Sequence, residues 1–387
     1  SPQNYLPAHY PSNNTKVNSR MTYKKEPPYS HGTTKKTGIL LVNLGTPEKP
    51  NPSAVRKYLA EFLSDKRVVE IPKIIWMIIL HLIILRFRPK KSAEKYQSIW
   101  TESGSPLRIN TQAQSDALRQ SLTDRIYSPL VIDYAMRYGS PSIESVILRQ
   151  KRENVANILV VPLYPQYSSS TTGSVFDAVA HTYKQLRNMP GLRFIRSFHD
   201  YPGYIAASAN LIKEFWKDRG EPSQLVLSFH GVPEFSLHEG DPYHCECHKT
   251  ARLITQELGV AESKVLVSFQ SRFGKAEWLK PYTIGIMKDL GDAKTNRVDV
   301  FCPGFVSDCL ETLEEIAMEN RNEFLRAGGK EFNYIPCLNN APSWLSALEE
   351  LVMDNLGGWI TSDYESLTEE KENKKSKELA INMGAKD

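Results

Sequence analysis

GILLVNLG, residues 38–45, is an unbroken apolar run of strand length that stops at a glycine. Strict alternation would mark a strand with one wet face. Continuous apolarity marks one covered on both faces, as in parallel sheets. Working outward, the same design recurs in ILVVPLYP (158–165), LVLSFHG (225–231), KVLVSFQS (264–271) and RVDVFCPG (297–304). Helical spacing appears over 53–63, where Val55, Leu59, Phe62 and Leu63 share a side, and over 205–218, 248–258 and 308–326. Strand, loop, helix and strand in series predict an α/β protein built on parallel sheets with helices on both faces.

A chain of 387 residues has room for two such units. The pattern predicts two similar doubly wound, Rossmann-like domains with an active-site cleft between them. Residues 37–188 form the first and 189–333 the second, with the seam near 189–222. Residues 334–362 are expected to pack back on the first domain. Residues 1–36 lack an apolar period and read as a disordered leader in which Met21 is a candidate internal start. The leader is basic like a transit peptide but lacks an Arg-rich amphipathic pattern. The tail 363–387, with its run EEKENKKSKE, reads as charged and frayed.

A net charge of +4 is too weak to argue for nucleic acid, and no basic run is interleaved with aromatics. Five cysteines, an odd number, without a secretory signal read as reduced thiols. No segment reaches the roughly 18 to 20 apolar residues that span a bilayer. KIIWMIILHLIILRFRPKK (73–91) is the greasiest stretch, apolar over 74–85 between basic flanks. It reads either as a buried helix or as a hydrophobic lip. The lip is favoured because Arg86, Arg88, Lys90 and Lys91 suit lipid phosphates. The expected location is the cytoplasm, peripheral on the inner face of the cytoplasmic membrane.

In doubly wound sheets ligands gather beyond the carboxyl ends of the strands. Polar residues cluster there: Ser168 to Thr172, His230, Gln270 to Arg272, and Asp308 to Glu311. His230 opens the segment LVLSFHGVPEFSLHEGDPYHCECHKTARLI (225–254). CPGFVSDCLETLEEIAMENR (302–321) sets Glu311, Glu315 and Glu319 four apart, on one face of a helix. Taken singly, a histidine after a strand is ordinarily structural, and an acidic stripe is ordinarily a solvated face.

Together, these two segments resemble the signature elements of ferrochelatases. GILLVNLGTPEKP (38–50), YAMRYGSPSI (134–143), PLYPQYSSSTTGS (162–174) and SFQSRFGKAEWLKPY (268–282) extend the resemblance over about residues 38–356. The wording is most similar to enzymes of Gram-negative bacteria. The resemblance implies insertion of ferrous iron into protoporphyrin IX, giving protohaem and releasing two protons. It implies His230 and Glu311 as the catalytic and metal-contacting pair, and Glu315, Glu319 and Asp308 as an acidic relay. Arg137, Tyr138, Trp278, Phe305, Ser271 and Leu44 become porphyrin contacts; Arg86, Arg88, Tyr96 and Ser105 lie in the region expected to meet the propionates. Spacing around Pro89 leaves the choice of arginine open.

The chemistry itself demands a base over one face of the ring to take the pyrrole protons. Neutral imidazole, with an ordinary pKa of about 6.5, suits that task. Cys309 stands where many relatives carry histidine. Some ferrochelatases hold a [2Fe–2S] cluster, but here the internal position is Ser169 and no cysteine follows Cys337, so none is expected. Cys245 and Cys247 beside His244 and His248 read as two ordinary reduced thiols rather than a metal site. Three alternatives stay open: a chelatase for cobalt or another porphyrin, a non-catalytic porphyrin carrier, and a nucleotide-binding enzyme. The last lacks G-x-G-x-x-G and a P-loop. Monomer and homodimer are both compatible with the sequence.

Overall fold

A computed structural model describes residues 23–274, 276–360 and 364–386. Two four-stranded, all-parallel sheets organise the chain. The first joins β1 (Lys36–Gly45), β2 (Leu130–Tyr138), β3 (Val155–Pro162) and β4 (Gly191–Phe194) in the order β2-β1-β3-β4. The second joins β5 (Gln224–His230), β6 (Val265–Gln270), β7 (Arg297–Phe301) and β8 (Glu331–Tyr334) in the order β6-β5-β7-β8. The two halves therefore repeat one topology, as the doubly wound reading requires. β1 and β5 are central strands, and their apolar runs are buried on both faces: Ile39 to Val42 and Leu225 to Phe229 have almost no exposure.

Sequence reading missed β2, β4 and β8. β2, LVIDYAMRY, carries Asp133 and Arg137 inside its run. β4 and β8 are only four residues long, too short to show a period. Gly45 is required where β1 ends: its φ is +115°, and a Cβ there would sit 1.8 Å from the Tyr138 carbonyl oxygen of β2.

The two halves share a continuous core. Ile39, Leu41 and Leu118 of the first half cluster with Leu225, Phe229 and Trp344. Helix Pro342–Asp354 packs on helix Pro202–Trp216 and on helix Pro106–Arg125 of the first half. Arg193 lies 4.1 Å over the Trp359 ring, tying the same returning segment to β4.

Residues 1–22 of the expected leader, Met21 included, lie outside the described residues. Residues 23–35 form no regular element but are fastened to the first half. The Lys24 N–H donates to the Gln185 carbonyl at 2.8 Å, and Glu26 pairs with the buried Lys151. The charged tail differs from the expectation of a frayed end, because Ser366–Asn382 is a helix. Its Glu370 and Lys374 are spaced for an i,i+4 pair, and Asn373 donates to Thr34 at 3.2 Å.

The greasy segment is neither wholly buried nor wholly exposed. Helix Lys73–Ile79, a π-helical turn Leu80–Ile84 and helix Leu85–Ile99 run on continuously. Trp76, Leu80 and Leu85 face inward, while Ile74, Ile75, Ile78, Leu82, Ile83 and Phe87 are exposed. Among the described residues no helix is long and apolar enough to cross a membrane.

Candidate active site

His230 is the last residue of β5, carried to the sheet edge by the buried run before it. Its Nδ1 lies 2.6 Å from the Gly231 carbonyl oxygen. A carbonyl only accepts, so Nδ1 holds the proton and Nε2 keeps its lone pair. The Tyr243 hydroxyl donates to the His230 carbonyl at 2.8 Å, fixing the backbone beneath the ring. Gly231 is needed here for space: a Cβ would stand 2.8 Å from the Gln270 carbonyl oxygen and 3.1 Å from the Trp278 ring. Trp278 and Phe305 flank the imidazole with centroids at 6.3 and 6.4 Å. The Trp278 indole nitrogen is buried with no hydrogen-bond partner among the described residues.

Glu311 to Asn320 is π-helical, ten residues of a form usually confined to single turns at functional sites. The expected α-helical stripe is thereby re-aimed, and its three glutamates fare differently. Glu315 turns to the cleft. The backbone N–H of Ser271 donates to its Oε1 at 2.7 Å, and the Ser271 hydroxyl donates to Oε2. Ser271 has φ +67°, a left-handed conformation rare for a residue with a side chain, and this turns both donors toward one carboxylate. Burial pushes the Glu315 carboxyl above its ordinary value, more than the Ser271 bonds and nearby His230 pull it down; Glu311 pushes it up further. His230 and Glu311 are thus both within electrostatic reach of Glu315.

Glu311 faces the first half. It bears electrostatically on Tyr58, Tyr96 and Arg88 and on the thiol of Cys309, which burial holds well above its ordinary pKa. Glu319 is drawn away from the centre by Lys95, whose Nζ lies 2.6 Å from Glu319 and 2.9 Å from Glu314. Asp308 does not join the stripe. It is buried and accepts from Thr312 at 2.9 Å, Asn339 at 2.7 Å and the Tyr334 hydroxyl. Those bonds hold the loop after β7, leaving little acceptor capacity for proton traffic.

The porphyrin contacts drawn from the resemblance divide likewise. Ser271, Trp278 and Phe305 adjoin His230 or Glu315. Tyr138 is fully buried, its hydroxyl 2.8 Å from Asp65 and its ring 5.0 Å from Phe62, so it backs the wall. Arg137 pairs with Asp65 at 2.7 Å and donates to Ser174. Leu44 packs beside Tyr138 and Tyr96 in a cluster that Leu310 and Leu313 reach from the other half. Tyr96, on helix Leu85–Ile99, and Ser105, at the start of helix Pro106–Arg125, are both buried. Arg88 lies 4.6 Å over the Phe273 ring across the cleft, whereas Arg86 leans on its neighbour Phe87. Of the two arginines, Arg88 is the one that reaches a ring of the second half.

Sequence reading missed the positioning role of Gln270. It donates to the Glu311 carbonyl at 2.8 Å and accepts from Ser228 at 2.8 Å, linking β5, β6 and the π-helix. Its only signal was a polar residue at a strand end. Asp65 gave none, since its side-chain partners Arg137, Tyr138 and Ser174 are 72 to 109 residues away. Among the described residues no group of three or more His, Cys, Asp or Glu is disposed to enclose a metal ion. Four of the five thiols are buried, and Cys245 is exposed.

A family model described as Ferrochelatase matches residues 36–356. A curated protein named Ferrochelatase from Aromatoleum aromaticum is 56% identical over 338 residues, covering 87% of this chain and 93% of its own. Another of that name from Janthinobacterium sp. (strain Marseille) is 53% identical over 367 residues, covering 94% and 100%. Among solved structures, SirB from Bacillus subtilis with Fe3+ is 12% identical, with a TM-score of 0.49, over 83% of this chain and 96% of that one.

Proposed function

Because the chain belongs to the ferrochelatase family, we propose that His230 takes the pyrrole protons and that Glu315 and Glu311 carry them away. Insertion of ferrous iron into a porphyrin, in haem biosynthesis, is the activity that follows from the family. In that reaction two N–H protons leave the ring, two nitrogen lone pairs turn to the incoming Fe²⁺, and a neutral metalloporphyrin results. Iron is a substrate here, to be held briefly and released.

One observation carries the assignment of the base: Nδ1–H is committed to the Gly231 carbonyl, so the Nε2 lone pair is free to accept. A single imidazole takes one proton at a time. Before the second it must discharge the first, and a carboxyl whose pKa burial has raised both accepts and returns a proton readily. Glu315 supplies that group beside His230, and Glu311 lies on its far side. Imidazole and carboxylate are also acceptable ligands for Fe²⁺, and so few donors suit a metal in transit. Trp278 and Phe305 are placed to press on a flat ring and tilt a pyrrole toward the base.

Protoporphyrin IX is the proposed ring, its propionates meeting Arg88 at the cleft mouth and its apolar edge meeting Leu44, Leu310 and Leu313. The exposed isoleucines of the lip and the flanking Arg86, Lys90 and Lys91 support peripheral docking on an anionic cytoplasmic membrane face. His230→Ala should reduce iron or zinc insertion by about 10³-fold or more, while quenching of porphyrin fluorescence on binding persists. Near-normal turnover in that variant refutes the assignment. Running protoporphyrin beside coproporphyrin in the same assay tests the ring preference.

A further inference from the structure

The first two turns of helix Tyr243–Leu258 carry two imidazoles that the reaction leaves unused. His244 and His248 are four residues apart and rise from one face of the helix. Their ring centroids lie 4.4 Å apart at an interplanar angle of 52°. His244 stacks on Phe269 at 5.8 Å and 19°, which fixes its ring, while His248 is exposed. Neither ring has a hydrogen-bond partner among the described residues. We propose that this pair is a second transition-metal site, which takes a divalent cation of the ferrous, cobaltous or zinc class between the two rings.

The spacing leaves room for a shared ion. A metal–imidazole bond of about 2.0–2.1 Å puts the ring centre about 3.2 Å from the metal. Two such rings at a right angle about the ion stand about 4.5 Å apart, and at the tetrahedral angle about 5.2 Å. The observed 4.4 Å is the right-angle value, that of neighbouring positions in an octahedron. A first-row divalent ion there would keep water in its remaining positions, an open and exchangeable arrangement. Two histidines at i and i+4 are also the helix-borne pattern of known zinc sites, and imidazole suits iron, cobalt and zinc alike.

The surroundings favour an uncharged pair. Burial holds the pKa of both rings below the ordinary value, and His244 lowers that of His248 further. Cys247 is buried, its thiol pushed well up by burial, and the exposed Cys245 follows His244 by one residue, about 100° around the helix, so the donors are the imidazoles rather than the C-x-C thiols. The pair begins one residue after Tyr243, whose hydroxyl holds the His230 carbonyl.

Titrating Co²⁺ into the full-length His230→Ala protein near neutral pH, followed by calorimetry, isolates this site from the catalytic one. One equivalent should bind. His248→Ala or His244→Ala added to that background should weaken it roughly tenfold or more, no less than losing an outer-shell partner costs a metal site. His248 is exposed, so its variant should fold; a circular dichroism spectrum matching the parent's verifies this. If the His230→Ala protein binds no Co²⁺, or its affinity stays within about twofold when His248 is removed, the proposal is overturned.

Discussion

The two halves share one strand order, yet each builds something different beyond its third strand. After β3 comes a short π-helical turn, Ser169–Gly173; after β7 comes the long one, Glu311–Asn320. In each half a carboxylate is held between that region and the end of the neighbouring edge strand. In the first half Asp65 accepts from Ser174, Tyr138 and Arg137. Burial alone would raise its pKa, but these bonds, the Arg67 backbone N–H and the Arg137 charge outweigh it, and the carboxyl is lowered. In the second half Glu315 accepts from Ser271 and, among the described residues, pairs with no guanidinium, so burial prevails and the carboxyl is raised. One scaffold gives a fixed anion that braces the fold and, in the other copy, a carboxyl suited to handling protons. The difference is whether a permanent cation is buried alongside.

That contrast can be broken at its stronger end first. Glu315→Gln should lower the rate of iron insertion about 100-fold with little change in porphyrin binding, measured in a continuous fluorescence assay. It should also stabilise the fold. A carboxyl whose native pKa lies above its ordinary 4.5 costs stability once pH passes that value, and glutamine removes the cost. The gain in melting temperature should therefore appear above about pH 4.5 and vanish below it. A loss of stability at pH 7 would show that Glu315 is a brace like Asp65.

Asp65→Asn tests the opposite sign. It leaves Arg137 buried without its partner and should cost about 3 kcal/mol in denaturant unfolding at pH 7. Because the native pKa of Asp65 is depressed below 3.8, the stabilisation is present above that pH and is lost as pH falls through the depressed value. The gap between wild type and variant should narrow in acid.

A milder division separates binding from chemistry. Arg88→Ala should raise the porphyrin KM about tenfold, the worth of one charge-assisted contact, and leave kcat nearly unchanged, whereas Arg86→Ala should do neither. Equal effects of the two would refute the cleft-facing assignment of Arg88. The smallest effect is expected at the lip. Ile78→Asp with Leu82→Asp should lower sedimentation with phosphatidylglycerol vesicles severalfold while leaving insertion in detergent intact. Unaltered vesicle binding would remove the lip from membrane contact.

Much of this was legible before any coordinates. His230 could be found because a buried strand ending in His-Gly leaves its last side chain at the sheet edge, whatever the rest of the chain does. Glu311 could be found because it opens the helix after the loop of β7. The relay was only partly legible. A spacing of four reads alike in α- and π-helix, so nothing in the letters separated Glu315, bound by Ser271, from Glu319, held by Lys95. Asp308 looked like a relay member by position, and only the side chains of Tyr334 and Asn339 revealed that its oxygens were taken. The lip's apolar content was plain, but which residues faced out depended on the π-helical turn Leu80–Ile84.

Sequence by itself determined the parallel sheets, the place of His230 at a strand end and the chain's family, because runs of apolar residues and strand-end motifs are local and survive in one dimension. Tertiary structure decided the direction in which burial and partners move the pKa of Asp65 and Glu315, the arginine that reaches Phe273 and the pairing of His244 with Phe269. Those depend on groups distant in sequence. A pKa or a contact belongs to whatever the fold brings alongside, and the order of residues along the chain does not record it.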